Sequence, residues 1–416
     1  MISRRVFLKS SGLALVSLGV APSFLARIAA AESNRRGKIL VAIFQRGAAD
    51  GLNIVVPFGD RNYYDLRPTI AVPPPGSGTD PSALDLDGFF GFHPALRPLF
   101  DIYRSGHLAA IHAAGSPDNT RSHFDAQDYM ESATPGMKST RDGWLNRYLL
   151  AQPEPKATPF RAVSMTPTLP RALQGRAPAV ALQNIAEFTA KSDLNAVRLR
   201  DELRAMYAVA GNRILRDGGT EAFSAMEFFE KTVQSQYQPV EGATYPRIPL
   251  GRSLQQIAQL IKADAGIEVA FAESGGWDHH ANEGGIQGQL AGRLTDLAES
   301  LAAFYRDLDH RMSDIVVLTM SEFGRTAHEN GNRGTDHGHA NVMLAMGGPV
   351  LGGKVYGKWP GLAPEQLNEG RDLSLTTDFR DIFGEAVGEH LGLKNPAQVF
   401  PHFDLQRRNF RGYVRA

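Results

Sequence analysis

Apolar residues fall along this chain in short, nearly unbroken runs. Residues 39–44 (ILVAIF), 108–113 (LAAIHA), 267–272 (IEVAFA), 315–320 (IVVLTM) and 342–346 (VMLAM) do not alternate with polar ones. Such runs predict strands apolar on both faces, the pattern of a parallel sheet covered by helices on both sides. Between them the spacing becomes helical. In residues 287–308, Leu290, Leu294, Leu297, Leu301, Phe304 and Leu308 form one stripe, which predicts a helix packed on a core. Residues 94–103, 193–215, 221–237 and 253–262 also carry helical patterns. Strand and helix in alternation predict an α/β three-layer sandwich, with a mostly parallel sheet and helices on both faces. Residues 153–249 are proline-rich with few strand signals and are predicted to form a mostly helical insertion or cap.

The first 31 residues follow a different logic. Ser3-Arg4-Arg5-Val6-Phe7-Leu8-Lys9 matches the twin-arginine export consensus, a mild apolar stretch spans 12–21, and Ala29-Ala30-Ala31 offers small residues to a signal peptidase. This order predicts a cleaved export signal, with the mature domain running over 32–416. The apolar stretch falls short of the ~20 residues a membrane span requires. The expected partner is the twin-arginine translocation machinery, and the expected place is the periplasm or the exterior, with no membrane span after processing.

Charge and composition narrow the chemistry. The chain holds 44 basic and 44 acidic residues, and no basic tail or stripe points to nucleic acid. It has no cysteine, so thiolate nucleophiles and thiolate metal sites are excluded. Any metal must be held by His, Asp, Glu, hydroxyl or backbone oxygen. With 42 Gly and 25 Pro, much of the chain is loop, where sites are commonly built.

Four polar clusters follow expected strands, where ligand sites form in open α/β sheets. The first is Arg46-Gly47-Ala48-Ala49-Asp50-Gly51-Leu52-Asn53. Asp50 reads as a metal ligand between small residues, or as a turn residue before glycine. The second is Asn119-Thr120-Arg121-Ser122-His123-Phe124-Asp125, at an expected helix start. Ser122 reads as an N-cap with Asp125 in a capping-box role, or as a nucleophile flanked by Arg121 and His123. The third is Gly275-Gly276-Trp277-Asp278-His279-His280-Ala281-Asn282. In extended backbone Asp278 and His280 point the same way and His279 points away. The fourth runs from Ser321-Glu322-Phe323-Gly324-Arg325-Thr326 to Thr335-Asp336-His337-Gly338-His339-Ala340-Asn341. Asp50, Asp278, His280, Glu322, Asp336, His337 and His339 are thus the candidate metal ligands. Their oxygen and imidazole donors suit one or two divalent ions of zinc, manganese, magnesium or calcium. Arg121 and Arg325 are the candidates for binding anionic oxygens.

An early Asp-Gly, a hydroxyl at a helix start, an Asp-x-His loop and the TDHGH segment together resemble the alkaline phosphatase and sulfatase superfamily. More narrowly, SRRxFLK, RGAADGLN, RSHFDAQ, GWDHHAN and SEFGRT with GTDHGHAN resemble the exported family catalogued as domain of unknown function 1501. The resemblance implies an alkaline phosphatase-like fold and a metal-dependent hydrolase of small anionic phosphate or sulfate esters. Ser122 would attack or position water, with His123, Arg121 and Arg325 in supporting roles. Two features depart from the superfamily: Glu322 stands where an Asp-His pair directly follows the late strand, and the sulfatase nucleophile motif is absent. The alternative is a non-catalytic extracytoplasmic binding or assembly protein on the same fold.

Overall fold

Ile39–Arg46 forms strand β1, and its surroundings explain why no polar residue precedes Gln45. Ile39, Val41 and Ile43 enter one apolar core, while Leu40, Ala42 and Phe44 enter another. A strand with two buried faces belongs in the middle layer of a sandwich. The computed structural model describes residues 37–154, 157–158, 160–185 and 237–415, together with the backbone of Leu13–Ala14. The export signal of residues 1–31, apart from that dipeptide, lies outside the described residues, as do the expected helix over 193–215 and all but Tyr237 of the one over 221–237.

The other strands of its sheet are β2 (Leu108–Gly115), β3 (Ala162–Ser164), β4 (Val180–Leu182), β5 (Val269–Gly275), β6 (Ile315–Met320), β7 (Asn341–Met346), β8 (Lys354–Tyr356) and β9 (Thr377–Asp378). They lie in the order β4-β3-β5-β1-β6-β7-β2-β8, with β9 also on β2 and Leu13–Ala14 beside β4. All pairs from β4 to β6 are parallel, as are β2–β8 and β2–β9. Strand β7 runs antiparallel to both its neighbours. The connection from β6 to β7 holds no crossover helix. The chain therefore turns back from the edge it has just reached, and the next strand must run the other way. An apolar run does not carry that information.

Helices among the described residues include α1 (Gly51–Ile54), α2 (Arg97–Arg104), α3 (His123–Ser132), α4 (Trp144–Ala151), α5 (Pro249–Lys262), α6 (Gln289–Leu308) and α7 (Phe379–Glu385). Leu99 and Ile102 of α2, Leu254 and Ile257 of α5, and Leu294, Leu297 and Leu301 of α6 share the core of Ile39, Val41 and Ile43. Met130 of α3, Trp144 and Tyr148 of α4, and Phe379 and Phe383 of α7 fill the opposite core. The α/β three-layer sandwich expected from the apolar runs is therefore present. The stripe from Leu290 to Leu308 is fully buried along α6, each side chain contributing roughly 1.5–3 kcal/mol of burial. The helical expectation for 153–249 falls largely on residues outside those described, and the described part adds strands. That part supplies β3 and β4 to the sheet edge, strands of three residues whose periodicity is too brief to register in sequence. No helix among the described residues is long and apolar enough to cross a membrane.

Candidate metal centre

The polar clusters meet at one edge of the sheet, beyond the carboxyl ends of β1, β2, β5 and β6. Close approach of backbones makes this possible. Gly47 follows β1 with φ +117, and a Cβ there would lie 2.7 Å from the Asp278 nitrogen. A side chain at this position would push the Asp278 loop out of the site. Helix α3 starts at His123 and turns its first residue toward that loop.

Three imidazoles converge. His337 Nε2 lies 3.0 Å from His123 Nε2 and 3.0 Å from His280 Nε2. Asp278 joins them, with Oδ1 3.0 Å from His280 Nε2 and 3.4 Å from His337 Nε2, and Oδ2 3.5 Å from His123 Nε2. Donor atoms of His123, Asp278 and His337 all lie within 4.8 Å of one another.

The opposite edges of the rings are all occupied. His123 Nδ1 donates to Glu322 Oε1 at 2.8 Å, His280 Nδ1 to Asp336 Oδ1 at 2.9 Å, and His337 Nδ1 to the Arg121 carbonyl at 2.8 Å. An ionised carboxylate or a carbonyl only accepts, so each Nδ1 carries its hydrogen. In the neutral rings each Nε2 then presents a lone pair, and three lone pairs face one another beside a carboxylate. Such lone pairs repel unless extra protons or a cation lie among them. A carboxylate or carbonyl behind each imidazole is the arrangement that orients histidine ligands of metals.

Hydrogen bonds, burial and nearby charge set the electrostatics of the cluster. Burial alone would raise Glu322, but hydrogen bonds from His123, Gln127 and the Gly47 N–H hold it below the ordinary carboxylate range. The Glu322 bond in turn raises His123. Burial lowers His337, with help from the neighbouring positive charges of His123 and Arg325. Asp278 is held low against its partial burial by Arg325, which donates from Nη2 to Oδ1 at 2.5 Å. Asp336 is held low first by its bond from His280.

Several expected site residues stand elsewhere. Asp50 is buried 17 residues from its partner in sequence, and both its oxygens accept from Arg67, at 2.5 and 2.9 Å. It is therefore not a member of the histidine cluster. Glu322 is fully buried, and its Oε1 is saturated by Gly47 N, Gln127 Nε2 and His123 Nδ1. It braces a ligand candidate instead of facing the cluster centre. Asp336 does the same for His280. His339 is buried beside Asp372 and Arg121, away from the other imidazoles. Ser122 occupies the N-cap of α3 with extended backbone, but its side chain makes no capping bond. Asp125 pairs with Lys138 at 2.7 Å and so plays no capping-box role. Arg325 is buried, and its guanidinium is consumed by Asp278 and the carbonyls of Gly47, Ala48, Trp277 and Thr335. It ties three site loops together and has no face left for an anion. Arg121 pairs with Glu369 and Asp372, both at 2.7 Å. His279 points away into a buried position, as alternation from Asp278 and His280 required. His123, expected beside a nucleophile, is a member of the imidazole cluster itself.

Sequence reading did not single out Gln127, Arg67, Glu283 or Arg371. Arg371 donates to the His337 carbonyl at 2.8 Å and keeps 42% of its side chain exposed at the rim. Gln127 ends the RSHFDAQ run and Glu283 directly follows GWDHHAN, but neither place marks a role, and Arg67 and Arg371 lie in no such run, so only spatial neighbours reveal them.

A family model described as "Protein of unknown function (DUF1501)" matches residues 106–402. No curated protein matches the chain in sequence. Among solved structures, the chain is similar to the C-terminal periplasmic domain of EcEptC from Escherichia coli in complex with Zn, at 9% identity and TM-score 0.35, covering 76% of this chain and 74% of that one. It is also similar to the PsFucS1 sulfatase from Pseudoalteromonas sp., at 12% identity and TM-score 0.38, covering 94% and 76%. A third is the alkaline phosphatase from the Antarctic bacterium TAB5, at 9% identity and TM-score 0.32, covering 76% and 93%. All three likenesses are distant.

Proposed function

The chain belongs to the DUF1501 family of proteins of unknown function, and we propose that it is an exported, metal-dependent hydrolase of phosphate or sulfate esters. The observation that carries this reading is the convergence of His123, His280 and His337 through Nε2, beside Asp278, with each Nδ1 held by an acceptor. Three imidazoles and one carboxylate fit a single borderline ion such as zinc, with manganese as a harder alternative. Magnesium and calcium prefer oxygen-rich sets. Asp50, Glu322 and His339, which a second ion would need, are engaged by other protein groups or buried apart from the cluster. A divalent ion, when bound, supplies Lewis acidity toward a phosphoryl or sulfuryl oxygen and a source of nucleophile near neutral pH.

The protein groups hold this arrangement in place. Glu322, Asp336 and the Arg121 carbonyl fix the ring tautomers, and Arg325 fixes Asp278 as a carboxylate. His280 and Asp278 are each nearly half exposed, so an ester and water reach the cluster from solvent. Arg371, half exposed, anchored on the His337 carbonyl and 3.5 Å from Asp372, would meet the ester's negative charge. The export route rests on the twin-arginine motif and the small-residue site before Glu32.

Elemental analysis of purified protein, with aryl phosphate and aryl sulfate turnover before and after chelation, tests the reading. About one equivalent of a transition metal, with turnover lost on chelation and restored by zinc or manganese, is expected. Metal-free protein that gains no activity with any divalent ion would overturn it. A second reading, a binding or assembly protein with a structural ion, is favoured by one observation: both arginines expected to hold the anion are committed to protein partners. His280→Gln separates the two, because His280 is nearly half exposed and pairs with no buried charge. A hydrolase variant loses turnover while its melting temperature, measured with metal, stays near the parent's; a structural site loses stability instead.

A further inference from the structure

Glu283 is wholly buried, three residues beyond His280, and takes no part in the imidazole cluster. Its Oε2 accepts the Thr335 hydroxyl at 2.6 Å, while its buried Oε1 meets no N–H or O–H donor. The Asp50 carboxylate lies close enough to Glu283 for the two to share a hydrogen bond and for its charge to act on Glu283. Asp50 is buried too, and each of its oxygens accepts from Arg67.

Two ionised carboxylates in contact away from water repel strongly, and a buried carboxylate oxygen without a donor is costly. One proton between them removes both difficulties. It gives Glu283 a hydroxyl to donate, and each Asp50 oxygen has a second lone pair to accept it. The surrounding charges agree with a single negative charge in this pocket. Arg67 is the cation that faces it, and the nearby Arg325 is met by Asp278. Burial lowers His93, His112 and His279 and so keeps them neutral, and burial keeps Tyr63 protonated. Burial and then the Asp50 charge push the Glu283 carboxyl well above its ordinary range.

The position gives the pair a task. Asn282 and Glu283 donate their backbone N–H groups to Asn332 and Arg333, and Thr335 donates its own to His279. The Glu283 to Thr335 bond extends this zipper between the loop that ends in His280 and the loop that leads to His337. Through Asp50, Arg67 carries the same unit to the Thr326 and Ala327 carbonyls.

We propose that Glu283 and Asp50 share one proton, Glu283 holding it as a neutral acid that donates to Asp50, and that this pair is a positioning clamp for the loops of His280 and His337. The clamp does not depend on the proposed hydrolysis, so its test needs no substrate. Infrared spectra of the full protein at neutral pH contain the carbonyl stretch of a protonated, buried carboxylic acid. That band is absent from Glu283→Gln, and also from Asp50→Asn, where Glu283 is free to ionise opposite Arg67. Glu283→Gln keeps the parent's zinc content and melting temperature, because its amide donates to Asp50 and accepts from Thr335. Glu283→Ala loses both. A parent spectrum whose protonated-acid bands are unchanged in both Glu283→Gln and Asp50→Asn overturns the proposal. So does a Glu283→Gln protein that loses zinc as completely as Glu283→Ala.

Discussion

Glu322→Gln is the most direct probe of the imidazole cluster. The side chain keeps its size, so the packing at the end of β6 is preserved. In the parent, Oε1 accepts from the Gly47 N–H at 2.9 Å, Gln127 Nε2 at 2.9 Å and His123 Nδ1 at 2.8 Å, and Oε2 lies 3.1 Å from the Ser321 hydroxyl. An amide oxygen in the Oε1 position keeps the three donors, and the amide nitrogen faces the Ser321 oxygen. What is lost is charge assistance. A hydrogen bond to a charged group contributes about 1.5–3 kcal/mol, against ~1 kcal/mol for a neutral one. For the proposed metal site the bond that matters is the one behind His123, so the expected loss is about 1–2 kcal/mol, roughly a 10-fold weaker site. Competition with a calibrated chelator measures zinc affinity, and thermal melting with zinc reports folding. The expected outcome is affinity lowered by about 10-fold or somewhat more, with a folded protein. Affinity equal to the parent's, in a folded variant, would refute the assignment of His123 as a ligand braced by Glu322.

Two further outcomes follow from the geometry. Gly47→Ala forces a Cβ to 2.7 Å from the Asp278 nitrogen at a φ of +117, so denaturant unfolding should register a loss of ~3 kcal/mol or more, with loss of metal binding. His390 is buried, its Nε2 bonds the Ile39 carbonyl at 2.9 Å, and burial lowers it to about 4. Its unfolded value is ~6.5, so the unfolded chain takes up the proton first as pH falls. The histidine therefore costs no stability above that value, and a loss that grows to ~3 kcal/mol by pH ~4. His390→Gln should flatten this part of the pH–stability curve, measured by denaturant titration at neutral and acid pH. A variant that falls as steeply as the parent refutes it.

Much of the fold was legible because apolar runs report burial directly. The runs at 39–44, 315–320 and 342–346 are three adjacent central strands, and the Leu290 to Leu308 stripe faces the core. The direction of β7 was not legible, because burial on both faces is the same for either direction. The site was legible in part. Asp278, His280 and His337 stand in dense motifs, and the alternation of Asp278 and His280 put both into the cluster. Asp50 stood in an equally suggestive motif yet belongs to Arg67, which sits in no motif.

The chain's own pattern determined the layers, the edge of the sheet where chemistry gathers, and the residue types available for it. Burial and alternation are local properties, and they survive being read one residue at a time. Only the tertiary structure decided which of those residues face one another. An imidazole offers its near nitrogen in a fixed direction when its far nitrogen is held by an acceptor, and here those acceptors come from 56 to 216 positions away. A carboxylate becomes a brace or half of a buried pair when a distant arginine or histidine reaches it first. Those pairings are set by the packing of loops at the end of the sheet.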